Sequence, residues 1–245
     1  MLQQKNPLKK RKPTGACQQG FTLVELSIVL LVIGLIIGAA AVGRDLQRSA
    51  AYNRLSNDFV QGWQLAYDAF YTGVGRPPGD NVAAPTGQVN GDTAATVGTA
   101  LCGNDLINAF LAAGIRLPEG RTAGQSDRYA YLDSNGNPQE VQVCLQNVPW
   151  AEAGAAVGNF VTRPRNVMVL RNVTPALATL LDAQVDGVQD ARFGRMRQST
   201  QGNAVATVTP QLWSIDERVA FGSTVATSND EDQIAVMIAY LQMLR

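Results

Sequence analysis

From residue 21 to residue 43 this chain carries a single formally charged side chain, Glu25, in an otherwise apolar run. As an α-helix those residues span about 35 Å at 1.5 Å per residue. That is enough to cross a hydrocarbon core of about 30 Å. Fourteen of the 23 residues are Phe, Leu, Ile or Val. At about −0.3 to −0.6 kcal/mol each they outweigh a cost of about 3 kcal/mol for one carboxylate, so the segment is expected to insert despite Glu25.

Charge is distributed about this run. Lys5, Lys9, Lys10, Arg11 and Lys12 place +5 on the first 20 residues, and the remainder, with 15 basic and 20 acidic residues, is −5. Lysines before the span and an acidic remainder after it put the N-terminus inside and the C-terminus outside. An acidic remainder also argues against nucleic acid as the main partner, because that needs a basic surface. The chain has no histidine, which removes the usual general base and the commonest metal ligand.

Three ordinary readings of the segment compete. A secretory signal is one, with Ala39, Ala40 and Ala41 supplying a small-x-small site, but the apolar stretch is longer than 7–15 residues and holds an acid. A plain single-span anchor is another. A lipoprotein signal at Cys17 is disfavoured because that cysteine precedes the apolar run. Glu25 weighs against all three: a carboxylate near the start of a spanning helix is costly and needs a partner. Cleavage after Gly20 would give Phe21 a free α-amine, and an amine from a neighbouring subunit could pair with Glu25 and set the axial register of one helix against the next.

Gly20 followed by Phe-Thr-Leu-Val-Glu-Leu, behind a basic leader and before an apolar helix, resembles the N-terminus of type IV pilins and type II secretion pseudopilins. The resemblance implies cleavage between Gly20 and Phe21 by a prepilin peptidase, N-methylation of Phe21, and a role for Glu25 in assembly. It also implies other pilin or pseudopilin subunits and inner-membrane assembly machinery as partners. The expected location is the inner membrane, as a single-pass protein with its head outside the cytoplasm, and then a periplasmic or extracellular filament. The leading expectation is a structural subunit, in particular a minor pilin. A type II secretion pseudopilin and a tip adhesin or DNA-uptake subunit are the alternatives. No enzyme activity is expected.

The expected fold is α+β: a long N-terminal transmembrane and filament-core helix, then a mixed pilin-like head with antiparallel strands. The expected divisions are a leader at 1–20, the transmembrane part of the helix at 21–43, its amphipathic continuation at 44–72, and a head at 73–245. Tyr52, Leu55, Phe59, Trp63, Ala66 and Phe70 recur at three or four residues and form one apolar stripe. Gly34, Gly38 and Gly43 lower helix propensity and either admit close helix packing or local melting. Gly73, Gly75, Pro77 and Pro78 end the helix.

In the head, Asp105 is a candidate N-cap for a short helix ending at Gly114. The turns at Pro78-Gly79-Asp80 and Asn90-Gly91-Asp92, with Ala113-Gly114-Ile115, resemble a subgroup of large pilin-like proteins. Residues 129–132 and 141–144 flank Asn135-Gly136 as a hairpin. Further strands are expected at 167–173 and 205–215, and helices at 175–181 and 232–244.

With Cys17 lost in the leader, Cys102 and Cys144 are an even pair, either a disulfide or two buried thiols, and export favours the disulfide. No cofactor is expected. Asp133, Asn135 and Asn137 are weak calcium candidates, but a polar β-turn is the simpler reading and the EF-hand's twelfth-position Glu is missing. Asp80, Asn90 and Asp92 form a second weak cluster. Arg163, Arg165, Arg171, Arg192, Arg195 and Arg197 make either a basic patch or, more simply, a solvated face.

Overall fold

A computed structural model describes residues 21–92, 96–156, 158–202, 209–213 and 234–244. The leader, with Gly20 and Cys17, lies outside the described residues. The chain divides into two units, Met1–Leu46 and Gln47–Arg245. The division falls inside the first helix, α1 (Leu23–Arg54).

In the first unit α1 runs through Gly34 and Gly38, and a Cβ on either would meet nothing within 4 Å. The apolar side chains of Leu23, Val24, Leu26, Ile28 and the turns that follow are exposed around the whole circumference. The described side chains of α1 run unbroken from Leu23 only to Ala39, and among the described residues no helix is long and apolar enough to cross a membrane.

In the second unit α1 continues through a π-helical segment, Leu55–Val60, into α2 (Gln61–Val74). The sequence periodicity predicts an unbroken α-helix here. The structure inserts the wider turn, which buries two adjacent pairs, Leu55 with Ser56 and Phe59 with Val60. An α-helical stripe cannot bury adjacent pairs so easily, and π-bulges are the usual way a helix makes that adjustment. The Ser56 hydroxyl donates to Gln184 Oε1. All six residues of the predicted stripe are buried. Gly75, at φ +79°, caps α2 in the left-handed conformation, and its N–H donates to the Tyr71 carbonyl at 2.8 Å.

The head is an antiparallel sheet packed on that helix. Its strands are β1 (Leu101–Cys102), β2 (Arg128–Leu132), β3 (Pro138–Ala153), β4 (Phe160–Val173), β5 (Met196–Gln198) and β6 (Met237–Gln242). The order is β1-β3-β4-β6-β5, with β2 also paired to β3. Val143, Leu145, Met168, Leu170, Ala239 and Leu241 face the helix and join Phe59, Trp63 and Tyr67 in the main core. Cys144, Val148, Trp150, Val167, Val169 and Tyr240 make a smaller apolar cluster of their own.

Two shorter helices complete the head. In α3 (Gly103–Ala112), Phe110 packs on Trp63 and Phe70 with ring centroids 5.5 and 5.0 Å apart. The helix starts earlier than the sequence suggests. Gly103, at φ +59°, turns the chain straight out of β1, so Cys102 is the N-cap residue and Asp105 sits within the first turn. In α4 (Pro175–Asp186), Thr174 Oγ1 accepts from Leu177 N at 3.4 Å, Pro175 occupies the first turn and left-handed Gly187 ends the helix. It runs several residues beyond the expected 175–181.

The helix expected at 232–244 is not formed, and β6 occupies residues 237–242 instead. β4 and β5 pair with its two edges. Its faces are largely buried by other contacts: Met237, Ala239 and Leu241 join the main core and Tyr240 the smaller cluster, while Ile238 is exposed. A strand buried on both faces reads as a continuous apolar run, which periodicity alone does not separate from a helix. Most of the strand expected at 205–215 lies outside the described residues. Its described part, 209–213, is not a strand and places Trp213 in the core.

Candidate processing and assembly site

Phe21 is the first described residue and is 81% exposed. Thr22 precedes the first helical residue, Leu23, and so stands at the N-cap. Glu25 is then the third helical residue. The Glu25 N–H donates to Thr22 Oγ1 at 3.2 Å, while Glu25 Oε2 lies 3.5 Å from both Thr22 N and Thr22 Oγ1. This is the reciprocal arrangement of a capping box, in which the acid three residues on reaches back to the cap residue's own N–H. The carboxylate also sits where the unpaired N–H groups of the first turn favour negative charge. The helix start itself thus supplies Glu25 with a favourable setting.

Thr22 was not among the residues singled out from the sequence, although the Thr-x-x-Glu spacing before an apolar run is a known start signal. Its significance is chemical as well as structural. The group Glu25 reaches for is the N–H of the residue that follows Phe21. A chain cut between Gly20 and Phe21 would carry its new amine one residue upstream of the cap.

The other sequence candidates fall in the head. Cys102 and Cys144 face each other across β1 and β3 and are joined by a disulfide, with Cα atoms 4.5 Å apart. Asp133 is buried at the β2–β3 turn. Its Oδ1 accepts from Asn135 N at 3.0 Å and Asn137 N at 2.8 Å, and its Oδ2 from Gln139 Nε2 at 3.0 Å. The carboxylate therefore organises the turn, and left-handed Gly136 closes it. Asp80 is likewise buried and accepts from Asn81 N, Thr86 N, Thr86 Oγ1 and Gly87 N. Burial pushes its pKa up, but these donors win and hold it below the usual carboxylate range. Among the described residues no three of His, Cys, Asp and Glu gather as a metal group.

The arginines do not form one solvated basic face. Arg165 makes a two-pronged pair with Glu152, Nε to Oε1 at 2.5 Å and Nη2 to Oε2 at 3.0 Å. Arg197 is buried, with its guanidinium 4.1 Å above the Trp150 ring and donating to the carbonyls of Gly194, Ala151 and Gly202. Arg192 donates to Gln201, Thr209 and Gln211. Most of this positive charge is spent on internal contacts.

Residues 15–41 match the family model of the prokaryotic N-terminal methylation motif. No curated protein and no solved structure matches the chain. The motif implies processing by a prepilin peptidase, an N-terminal hydrophobic anchor, and assembly into pilus or pseudopilus filaments. It marks structural proteins, which are not enzymes. The matched segment holds Gly20, Phe21, the Thr22–Glu25 cap and the exposed apolar turns of α1, and through it the chain carries the signature of type IV pilins and pseudopilins.

Proposed function

We propose that this protein is a minor structural subunit of a type IV pilus-like filament. Cleavage between Gly20 and Phe21 and methylation of the new amine prepare it for assembly. The reading rests on one observation above all: an acid capped at the third position of an exposed apolar helix, directly after the glycine where cleavage is expected. In this reading residues 21–43 hold the precursor in the inner membrane with its head outside the cytoplasm. On assembly they leave the lipid for a filament core. Glu25 there exchanges part of its capping interaction for the amine of a neighbouring subunit, which fixes the stagger between helices. The disulfide in the head suits a protein that works beyond the reducing cytoplasm. No cofactor takes part in this reading.

Mass spectrometry of the protein from its own cell tests the proposal. The expected N-terminus is a methylated Phe21. An intact Met1, or a start at Val42 from cleavage after the alanines, overturns it. A deletion strain separates the two filament classes: a pilus subunit changes surface filaments, whereas loss of protein export with intact pili identifies a secretion pseudopilin.

A further inference from the structure

Three aspartates, at the end of α4 and just beyond it, each hold groups from other segments. Asp182 Oδ2 accepts from Trp213 Nε1 and Asp190 N, each at 2.7 Å. Asp186 Oδ2 accepts from Arg195 N at 2.8 Å and Met196 N at 2.9 Å. Asp190 Oδ1 accepts from Arg192 N and Gln211 N, each at 3.0 Å. Carboxylates thus fasten to α4 both the loop that leads to β5, residues 187–195, and the segment 209–213. Ala191 N also donates to the Gln211 carbonyl at 2.7 Å, which ties the loop to that segment.

Asp182 Oδ1 is the exception. Asp182 is fully buried and this oxygen has no donor. An ionised carboxylate would leave it charged and unpaired in the interior, whereas protonation turns it into a donor. The acceptor stands one turn on: Asp186, at the i+4 spacing that brings side chains together on a helix. Burial first, joined by the charge and hydrogen bond of Asp186, pushes Asp182 up to about 7 against its own donors. The cations nearby are committed elsewhere. Arg197 on β5 faces Asp186, Asp190 and Glu152, but its guanidinium lies over Trp150 and donates to three carbonyls. Glu152 is itself paired with Arg165. The Arg192 side chain donates to Gln201, Thr209 and Gln211, and that of Arg195 to the Gln242 carbonyl. Ionising Asp182 beside Asp186 therefore sets two like charges together without a counter-charge of their own.

We propose that one proton shared by Asp182 and Asp186 latches the 187–195 loop and the Trp213 segment onto α4. Its loss lets both lift away while the rest of the sheet stays folded. In the open form Asp182 is solvated and ionises near 3.9. The open form therefore gains on the closed one as pH rises from about 4 to about 7, and gains no further above that. The latch uses head residues alone and is independent of the filament reading.

The test is hydrogen exchange of the full mature chain in detergent, read by NMR from about pH 5 to about pH 8 and corrected for the intrinsic exchange rate. Opening constants at the Asp190, Met196 and Gln211 amides should rise about tenfold per pH unit up to about pH 7 and then level, while amides of β4 stay protected. Asp182→Asn, whose Nδ2 stands in for the shared proton, should abolish the dependence and keep the latch closed at pH 8. Asp186→Asn removes the like charge, so its rise should level at lower pH. The proposal is overturned if these amides open equally at pH 5 and pH 8, if they open only together with β4, or if Asp182→Asn keeps the dependence. An Asp186→Asn profile that levels at the wild-type pH overturns the sharing of the proton.

Discussion

Glu25 and Thr22 cap each other at the start of α1: the Glu25 N–H meets Thr22 Oγ1 at 3.2 Å, and the Glu25 carboxylate bends back toward the Thr22 N–H. The carboxylate thus has an intrachain setting before any neighbour arrives. The two residues are expected to separate on mutation. Glu25→Ala should leave membrane insertion intact, because it removes a cost rather than a driving force, yet impair incorporation beside normal subunits. Thr22→Ala should lower helix-start stability by about 1 kcal/mol and reduce incorporation less, with Thr22→Ser restoring it. Recovery in sheared filaments, against the amount in membranes, measures both. Equal recovery of Glu25→Ala and wild type would rule out the pairing.

The disulfide closes a loop of 42 residues between β1 and β3. The chain-entropy relation assigns such a loop about 4 kcal/mol. Cys102→Ser with Cys144→Ser, or reduction of the native protein, should lower the urea midpoint of the head correspondingly. The change should leave the N-terminus and its processing untouched. Urea titration followed by tryptophan fluorescence reads the first effect, and N-terminal mass the second.

Asp182 is fully buried on α4. Its Oδ2 accepts from Trp213 Nε1 and Asp190 N, each at 2.7 Å. Burial, joined by the neighbouring Asp186 carboxylate, outweighs those donors and pushes it up to about 7. The folded protein therefore keeps a proton that the unfolded chain, with Asp near 3.9, releases. Stability from this group falls as pH rises from about 4 to about 7 and is level above. Glu140 and Glu152 act in the opposite sense. Glu140 is held low by Arg121 and Arg128 against its desolvation, and Glu152 chiefly by Arg165. Both lose their contribution as pH falls below the ordinary Glu value of about 4.3. Thermal melts should peak near pH 5. Asp182→Asn, which mimics the protonated acid, should flatten the slope between pH 5 and 7 and raise the melting temperature at pH 8. An unchanged slope would contradict the assignment.

Arg197 lies over Trp150 and ties β5 to the ends of β3 and the Ser199–Gln201 turn through three carbonyls. Burial pulls its pKa down to about 10, against the nearby Asp186, Asp190 and Glu152. Arg197→Ala is expected to destabilise the head by about 2–4 kcal/mol, since it leaves buried carbonyls with fewer donors and opens a hole beside an indole. Arg197→Lys should recover only part, because an ammonium lacks the planar fork. Denaturant unfolding checks the order of the three proteins.

Some features of this protein were written in short stretches of sequence. The apolar run with its one acid, the glycine stop of α2, the Asn135-Gly136 hairpin and the buried stripe from Tyr52 to Phe70 are each decided by neighbours within a turn or two, where spacing and side-chain chemistry suffice. The Thr22 cap was equally local, and Thr-x-x-Glu was there to be read. Other features were decided only when distant segments met. The apolar residues at 237–242 became a strand because β4 and β5 pair with both of its edges. Arg197 left solvent because Trp150 and the Ala151 carbonyl of β3, 46 positions away, meet it beside the local carbonyls of Gly194 and Gly202. Asp182 keeps its proton because the packed head buries it, with Asp186 nearby, and this outweighs the donor Trp213, 31 positions along the chain. Periodicity reports which side of an element is apolar. Which partner covers that side, and what charge is trapped beneath, follows from long-range packing that no local window contains.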